Sequence, residues 1–304
     1  MEARVDSILV VGTDTTVGAN LATYWTDEHV EVTRLGWSEP EDRSGASALE
    51  SARRHLATID PDRVVYCGAA AEPGWSNPSI NAATESALRI WSRAVREIGC
   101  GFTYISSDAV FTGPWLFHTE EGTHHCGSLE AGRLRTMEEL VIRVVPEALV
   151  VRTQAFGWSA DGAGWIERML EQMAEGRAAV DPVRHATPIL ATDLARVLSR
   201  AHEERAAGML HVGGAERVSH ELFARRLARQ FGLPAPASQW KGGLSGPMTG
   251  FARGESSLRT NRVKNLLNLA MPMLGEGLER LASQVDDGYR ERLRNELAEL
   301  QYAA

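Results

Sequence analysis

The sequence predicts an α/β protein: a doubly wound parallel sheet whose open end is capped by a smaller C-terminal half. Three observations predict it. Short apolar runs without alternation, such as Ser7 to Val11 (SILVV), read as strands buried on both faces. Those runs alternate with helical stretches through the first half of the chain, the pattern of βαβ units with right-handed crossovers. The first run ends in a glycine-bearing turn that opens a helix, and a helix N-terminus there offers free backbone amides to an anion.

Each element follows in order. After Ser7 to Val11 the sequence predicts a helix from Val17 to Trp25, a strand from His29 to Leu35 and a helix from Ala46 to Ala57. Next come a strand from Arg63 to Cys67, a long helix from Ile80 to Ile98 and a strand from Gly101 to Ser106. A helix from Arg133 to Val144 and a strand from Ala148 to Thr153 complete the alternation. The second half is less regular. Helices are expected over Ile166 to Glu175, Thr192 to Arg205 and His220 to Phe231, with a short strand from Met209 to Val212. Leu233 to Glu255 is rich in Gly, Pro and Ser and reads as an irregular loop, and Gly277 to Leu300 reads as one or two polar helices. The expected division is residues 1–157 for the sheet and 158–304 for a mixed cap with C-terminal helices, forming one compact unit with some strands returning to the sheet.

Composition excludes several classes. With 304 residues, 43% hydrophobic and 24% charged, the chain is long enough for a full core and is neither disordered nor fibrous. Forty acidic against thirty-two basic residues give a net charge of −8, the wrong sign for nucleic acid. No stretch approaches the ~20 apolar residues of a membrane helix. The charged residues Met1 to Asp6 lead straight into a strand, so no signal peptide is expected. Cys67, Cys100 and Cys126 form neither a disulfide framework nor a zinc spacing. The expectation is a reduced, cytoplasmic protein without metal, whose partner is a small molecule; the oligomeric state is left open.

The turn Gly12-Thr13-Asp14-Thr15-Thr16-Val17-Gly18 has two of the three glycines of a dinucleotide-binding, Rossmann-like turn. Thr15 replaces the glycine that approaches the pyrophosphate, although its hydroxyl could itself donate to a phosphate. A ligand-free strand-turn-helix fits these residues equally well. The second strand ends Arg34-Leu35-Gly36-Trp37 with no carboxylate for a ribose 2′-hydroxyl. That favours NADPH over NADH, with Arg34 or Arg43 as phosphate partners and Trp37 stacking on adenine; NADH remains possible.

Three further stretches carry a family resemblance. They are Val64 to Ala70 (VVYCGAA) with Asn81 opening the next helix, Tyr104 to Gly113 (YISSDAVFTG), and Val150 to Thr153 (VVRT) followed by Gly157. With Gly12 and Gly18 they resemble the extended short-chain dehydrogenase/reductases, in particular the dTDP-4-dehydrorhamnose reductase branch. The resemblance covers roughly residues 7–282. It implies a cofactor lined by Gly12, Asp14, Thr15, Thr16, Val17, Gly18, Gly36, Trp37, Cys67, Gly68, Ala69, Ala70, Asn81, Ser106 and Arg135. It also implies a catalytic Ser or Thr at Ser107, and a Tyr and a Lys four residues apart on the following helix.

This chain departs from the family at those last two positions, with Ala131 for the Tyr and Arg135 for the Lys. Arg135 can keep a positive charge by the ribose but cannot donate a proton near neutral pH. A general acid contributes ~10²–10⁴-fold, so ordinary sugar-ketone reduction should be impaired. The resemblance leaves three readings. The first is reduction of a polycyclic aromatic (angucyclinone-type) ketone, as in atypical reductases of antibiotic biosynthesis that lack this Tyr, with a neighbouring substrate phenol giving the proton. The second is a regulatory pseudoenzyme that binds NADP. The third is a dTDP-sugar-type reductase or dehydratase. The substrate-binding residues expected for the first are Trp75, Ala109, Phe111, Trp115, Ala131, Gln154 and Trp158, with the tryptophans reading equally as packing. His124 or His125 is the alternative proton donor. Glu138 and Glu139 read as a solvated helix face.

Overall fold

The computed structural model describes residues 7–36, 45–113, 115–238 and 251–303. Trp37 and Arg43 lie outside the described residues. The strands are β1 (Ser7–Val11), β2 (Glu31–Leu35), β3 (Arg63–Tyr66), β4 (Gly101–Ser107), β5 (Leu149–Thr153), β6 (Ala155–Phe156), β7 (Ala179–Val180), β8 (His185–Ala186), β9 (Ile189–Leu190), β10 (Gly208–His211), β11 (Val218–Ser219) and β12 (Ala237–Ser238). The helices are α1 (Thr16–Asp27), α2 (Gly45–Ile59), α3 (Ala82–Ile98), α4 (Leu129–Val144), α5 (Trp165–Ala174), α6 (Ala191–Glu203), α7 (His220–Gln230), α8 (Asn261–Leu267), α9 (Leu274–Asp286) and α10 (Tyr289–Ala303).

Six strands form one parallel sheet in the order β10-β5-β4-β3-β1-β2. The winding direction reverses at β1. β2 lies on one side of it and β3, β4 and β5 on the other, so right-handed crossovers place α1 on one face and α2, α3 and α4 on the opposite face. Two apolar clusters follow from this. One gathers Val10, Val17, Leu21, Trp25, Val151, Leu194 and Leu198 beneath α1 and α6. The other gathers Leu9, Leu56, Tyr66, Leu88, Tyr104, Leu134 and Val150 beneath α2, α3 and α4. A third cluster fills the cap, with Trp75, Phe156, Trp158, Trp165, Phe223 and Leu281. The crevice beyond the C-terminal ends of β1 and β3 is the topological switch point, where open α/β sheets bind ligands.

Local sequence signals explain most helix ends. Asn81 and Thr84 form a reciprocal capping box at the start of α3, and Gly99 ends it in the left-handed region, its N–H bonded to Val95. Ser128 caps α4 by accepting from the Ala131 amide, so that helix starts a turn before the predicted Arg133. Gly132 lowers helix propensity there, and the cap offsets it. Gly288, at φ +76°, separates α9 from α10. α8 was not expected, and part of the Leu233 to Glu255 loop lies outside the described residues.

Two glycines set the turn after β1. Gly12 has φ +97°, and a Cβ on it would stand 2.0 Å from the Cys67 carbonyl oxygen. A Cβ on Gly18 would stand 2.0 Å from the Gly12 oxygen. The turn, α1 and the end of β3 are therefore packed backbone to backbone. Gly18→Ala should cost on the order of 3 kcal/mol by overpacking. Gly132→Ala, in a helix interior with open space around it, should instead stabilise by about 0.5–1 kcal/mol. Urea midpoints at unchanged slope check both signs.

Candidate active site

The site is built from the loops that leave β1, β3, β4 and β5 at the C-terminal edge of the sheet. At β1, Thr15 is the N-cap of α1: its hydroxyl donates to the Gly12 oxygen at 2.7 Å and accepts from the Gly18 amide at 3.1 Å. The hydroxyl is thus turned inward, and the expectation that it faces a phosphate gives way to capping. Val17 is a core residue. The Thr16 amide donates to the Glu72 carboxylate at 2.6 Å. Asp14 is exposed and lies near Gly36. Arg34, expected at a 2′-phosphate, is paired with Glu296 at 2.8 Å and donates to Thr26, because α10 lies across that end of α1.

At β3, Cys67 is fully buried and its amide donates to Val11. Gly68 precedes a short 3-10 turn, Ala69–Ala71, in which Ala70 is buried. Asn81 accepts from the Thr84 amide at 3.0 Å and so serves α3 as its cap.

At β4, Ser107 is 1% exposed. Its hydroxyl accepts from the Ala109 amide at 3.1 Å and donates to Asp108 at 3.4 Å. Asp108 is also buried and accepts from Ser256 at 2.7 Å. Burial pushes its carboxyl up to about 7, against the opposing pull of the Ser256 and Ser107 hydroxyls and Arg184. Arg184 reaches over from the cap, donating to the carbonyls of Ala252 at 2.7 Å and Gly74 at 3.2 Å. Ser256 could not be placed here from sequence, because nearly 150 residues separate it from Asp108.

Ser106 points the other way, donating to Glu138 at 2.7 Å. Glu138 is not on a solvated face. It is 2% exposed and takes a bidentate pair from Arg152 at 2.9 and 2.7 Å. The signal was present in sequence: Arg152 interrupts an apolar strand, and Glu138 falls among Leu134, Met137 and Val141 on the buried stripe of α4. Arg152 lies 4.9 Å from the Phe111 ring centroid, and Phe111 stacks on His118 at 4.3 Å and His125 at 5.6 Å. Glu139 is exposed as expected.

On α4, Ala131 is fully buried. Arg135 donates from Nη1 to His125 Nδ1 at 3.2 Å, and its Nε is buried without a partner. That bond fixes the remaining proton of neutral His125 on Nε2. Burial, then Arg135 and Arg152, hold its pKa below the usual range. The tyrosines stand elsewhere: Tyr66 and Tyr104 pair in the core, Tyr24 lies on α1 and Tyr289 bonds to Asn20.

The aromatic residues expected at the substrate divide. Ala109 is buried with its amide bonded to Ser107, while Phe111 is buried against Arg152 and His118. Trp115 is 57% exposed and stacks on His124 at 4.9 Å. Trp75 is packed against Trp165, His220 and Phe223. Trp158 donates to the Leu281 carbonyl at 3.0 Å beneath Arg290. For these last two, packing is the role the structure gives, because the cap has its own apolar core to fill. Gln154 accepts from the Gly74 amide at 2.8 Å, while its Nε2 is buried without a partner.

The residues fit a dinucleotide. Gly12 and Gly18 let the turn close backbone to backbone on the end of β3, which brings the N-terminus of α1 to the switch point. Among the described residues the buried hydroxyls of Thr13 and Thr153 and the Gln154 amide nitrogen have no hydrogen-bond partner, and all three follow or end strands at the C-terminal edge of the sheet. Among the described residues no group of His, Cys, Asp and Glu could hold a metal ion, and no helix is long and apolar enough to cross a membrane.

Asp108 gives a prediction with a definite sign. Its ordinary pKa is 3.8 and its folded value about 7. The stability it contributes is fully present below the lower value and is lost as pH rises through the upper one. Asp108→Asn should remove that loss, on the order of 2–4 kcal/mol at pH 8. Buried His211, pushed down to about 3 by burial and Arg152, acts in the opposite direction in both proteins. Melting curves of the two proteins from pH 4 to 8 should therefore diverge as pH rises; parallel curves would contradict the assignment.

The comparisons with known proteins agree with this geometry. A model of the RmlD substrate binding domain matches residues 6–285. The fold is similar to dTDP-4-dehydrorhamnose reductase from Bacillus anthracis in complex with NADP, at 17% identity and TM-score 0.78 over 93% of this chain and 100% of that one. It is similar to a dTDP-4-dehydrorhamnose reductase from Clostridium acetobutylicum, at 20% identity and TM-score 0.76 over 92% and 99%. It is also similar to UDP-glucose 4-epimerase with UDP-glucose from Thermotoga maritima, at 17% identity and TM-score 0.73 over 93% and 99%. No curated protein matches the chain significantly. A six-stranded parallel sheet with a tight glycine turn at its switch point, matched by one family model from the first strand into α9, places this chain in the RmlD substrate binding domain family.

Proposed function

We propose that this chain binds NADPH and reduces a ketone on a polycyclic aromatic, angucyclinone-type compound to the alcohol, a phenol beside the ketone giving the proton. The observation that carries the reading is the state of the family's catalytic positions. Ser107 is present and buried at the end of β4. On α4, however, the acid position is Ala131 and the lysine position is Arg135, turned to His125. The site can orient a carbonyl, and among the described residues it offers no tyrosine to protonate the product.

The turn from Gly12 to Gly18 would hold the dinucleotide, whose reduced nicotinamide would supply hydride to the carbonyl carbon. The chain's own residues do the rest. Ser107 can rotate its hydroxyl from Asp108 to the carbonyl oxygen and hold it. Ala131 is buried and apolar, and an apolar, water-poor surrounding would keep an internal phenol–ketone hydrogen bond intact. The phenol then passes its proton to the new alkoxide and is left as phenolate. Cofactor binding is supported by the tight glycine turn that opens α1 and by three buried polar atoms without a partner among the described residues, and by the NADP in the Bacillus anthracis reductase.

The family match favours a second reading, reduction of a dTDP-sugar ketone. His125, with its Nε2 proton, would then have to serve as donor.

One comparison separates them. A hydroxy-substituted polycyclic aromatic ketone and its phenol methyl ether are each incubated with NADPH, and cofactor oxidation is followed by absorbance. The ether should bind but turn over about 10²–10⁴-fold more slowly. Equal rates would refute substrate-assisted protonation. Ser107→Ala should lower kcat by about 10²-fold with KM little changed.

A further inference from the structure

The first turn of α1 is where the family reading places the cofactor's pyrophosphate, yet a carboxylate already sits there. Glu72 follows the Ala69–Ala71 turn beyond β3, and its Oε1 accepts from the Thr16 amide at 2.6 Å. The Thr16 hydroxyl bonds to it as well. Thr15 already serves the Gly18 amide, so Glu72 takes the first donor of the helix. An anion is stabilised at that end of a helix by the aligned peptide dipoles. A pyrophosphate would seek the same donor for the same reason, and two anions cannot share it.

We propose that Glu72 is an internal anion occupying the phosphate end of the cofactor site, which must yield the Thr16 amide before a dinucleotide binds, and that Glu72 therefore sets cofactor affinity. This rests on the cofactor reading above. Asp161 and Arg168 from the cap and the Cys67 thiol of the sheet edge are the charged or titratable groups facing it. Burial raises the Glu72 pKa above the ordinary carboxylate value; Asp161 adds to the rise, and Thr16 and Arg168 oppose it. Protonation removes the competing charge, so affinity rises as pH falls through that raised value and binding takes up a proton.

The test is a titration of the whole protein with NADPH, followed by tryptophan fluorescence and by calorimetry in two buffers of different ionisation heat. Glu72→Ala should bind about tenfold more tightly at pH 8 than wild type, lose most of the pH dependence and lose the proton uptake. The same variant should melt at lower temperature without cofactor, since α1 loses a capping partner. Affinity and stability moving in opposite directions is the signature, because a merely structural Glu72 would lower both. Glu72→Gln, which keeps the shape and removes the charge, gives the same affinity result if the alanine variant does not fold. Unchanged or weaker binding in the variants, with wild type binding normally, overturns the proposal alone. No binding by any of the proteins overturns the cofactor reading and the proposal together.

Discussion

The edge of the sheet that carries the site is held by one buried ion pair, Arg152 to Glu138. Taking two charges out of water is costly, and the pair is tolerable only if every remaining donor and acceptor is met. Here Glu138 also accepts from Ser106, and the Arg152 Nη1 faces His211 Nε2 at 3.4 Å. His211 Nδ1 lies 3.1 Å from the His118 carbonyl, so the neutral ring donates there and presents a lone pair to Arg152. The network ties β4, β5, β10 and α4 together at the point where the chain turns into the 108–126 loops. Phe111 is gripped from both sides as a consequence, by Arg152 and by the stacked histidines.

That arrangement decides what the neighbouring positions can do. With Ser106 committed to Glu138, Ser107 on the next residue faces the opposite side of the strand, where it meets Asp108, which in turn accepts from the cap's Ser256. Arg135 lies on the same helix as Glu138 and is drawn to His125. A guanidinium presents its N–H donors in fixed directions within one plane, where a lysine would bring a flexible point charge.

Much of this was legible in the residues. β1, β3, β4 and β5 are apolar runs buried on both faces, and such runs leave few alternatives. The glycine turn was legible because a missing Cβ at Gly12 and Gly18 has one steric reason. The tryptophans were not, since Trp75 and Trp158 show the same ring to a core as to a ligand. Glu138 was misread as solvated because its partner lies on another element, although an arginine inside LVVRT was the warning.

By itself, the sequence determined the alternation of strands and helices, the turn at Gly12, and the identity of Ala131 and Arg135 on α4. These are set by local periodicity, sterics and residue identity. Only the tertiary structure decided that Arg34 is taken by Glu296, that Ser256 reaches Asp108 and that Glu72 lies on the first turn of α1. Those contacts join residues 56 or more positions apart, and no local pattern encodes a partner at that distance. Burial and hydrogen-bond satisfaction select it once the sheet has formed.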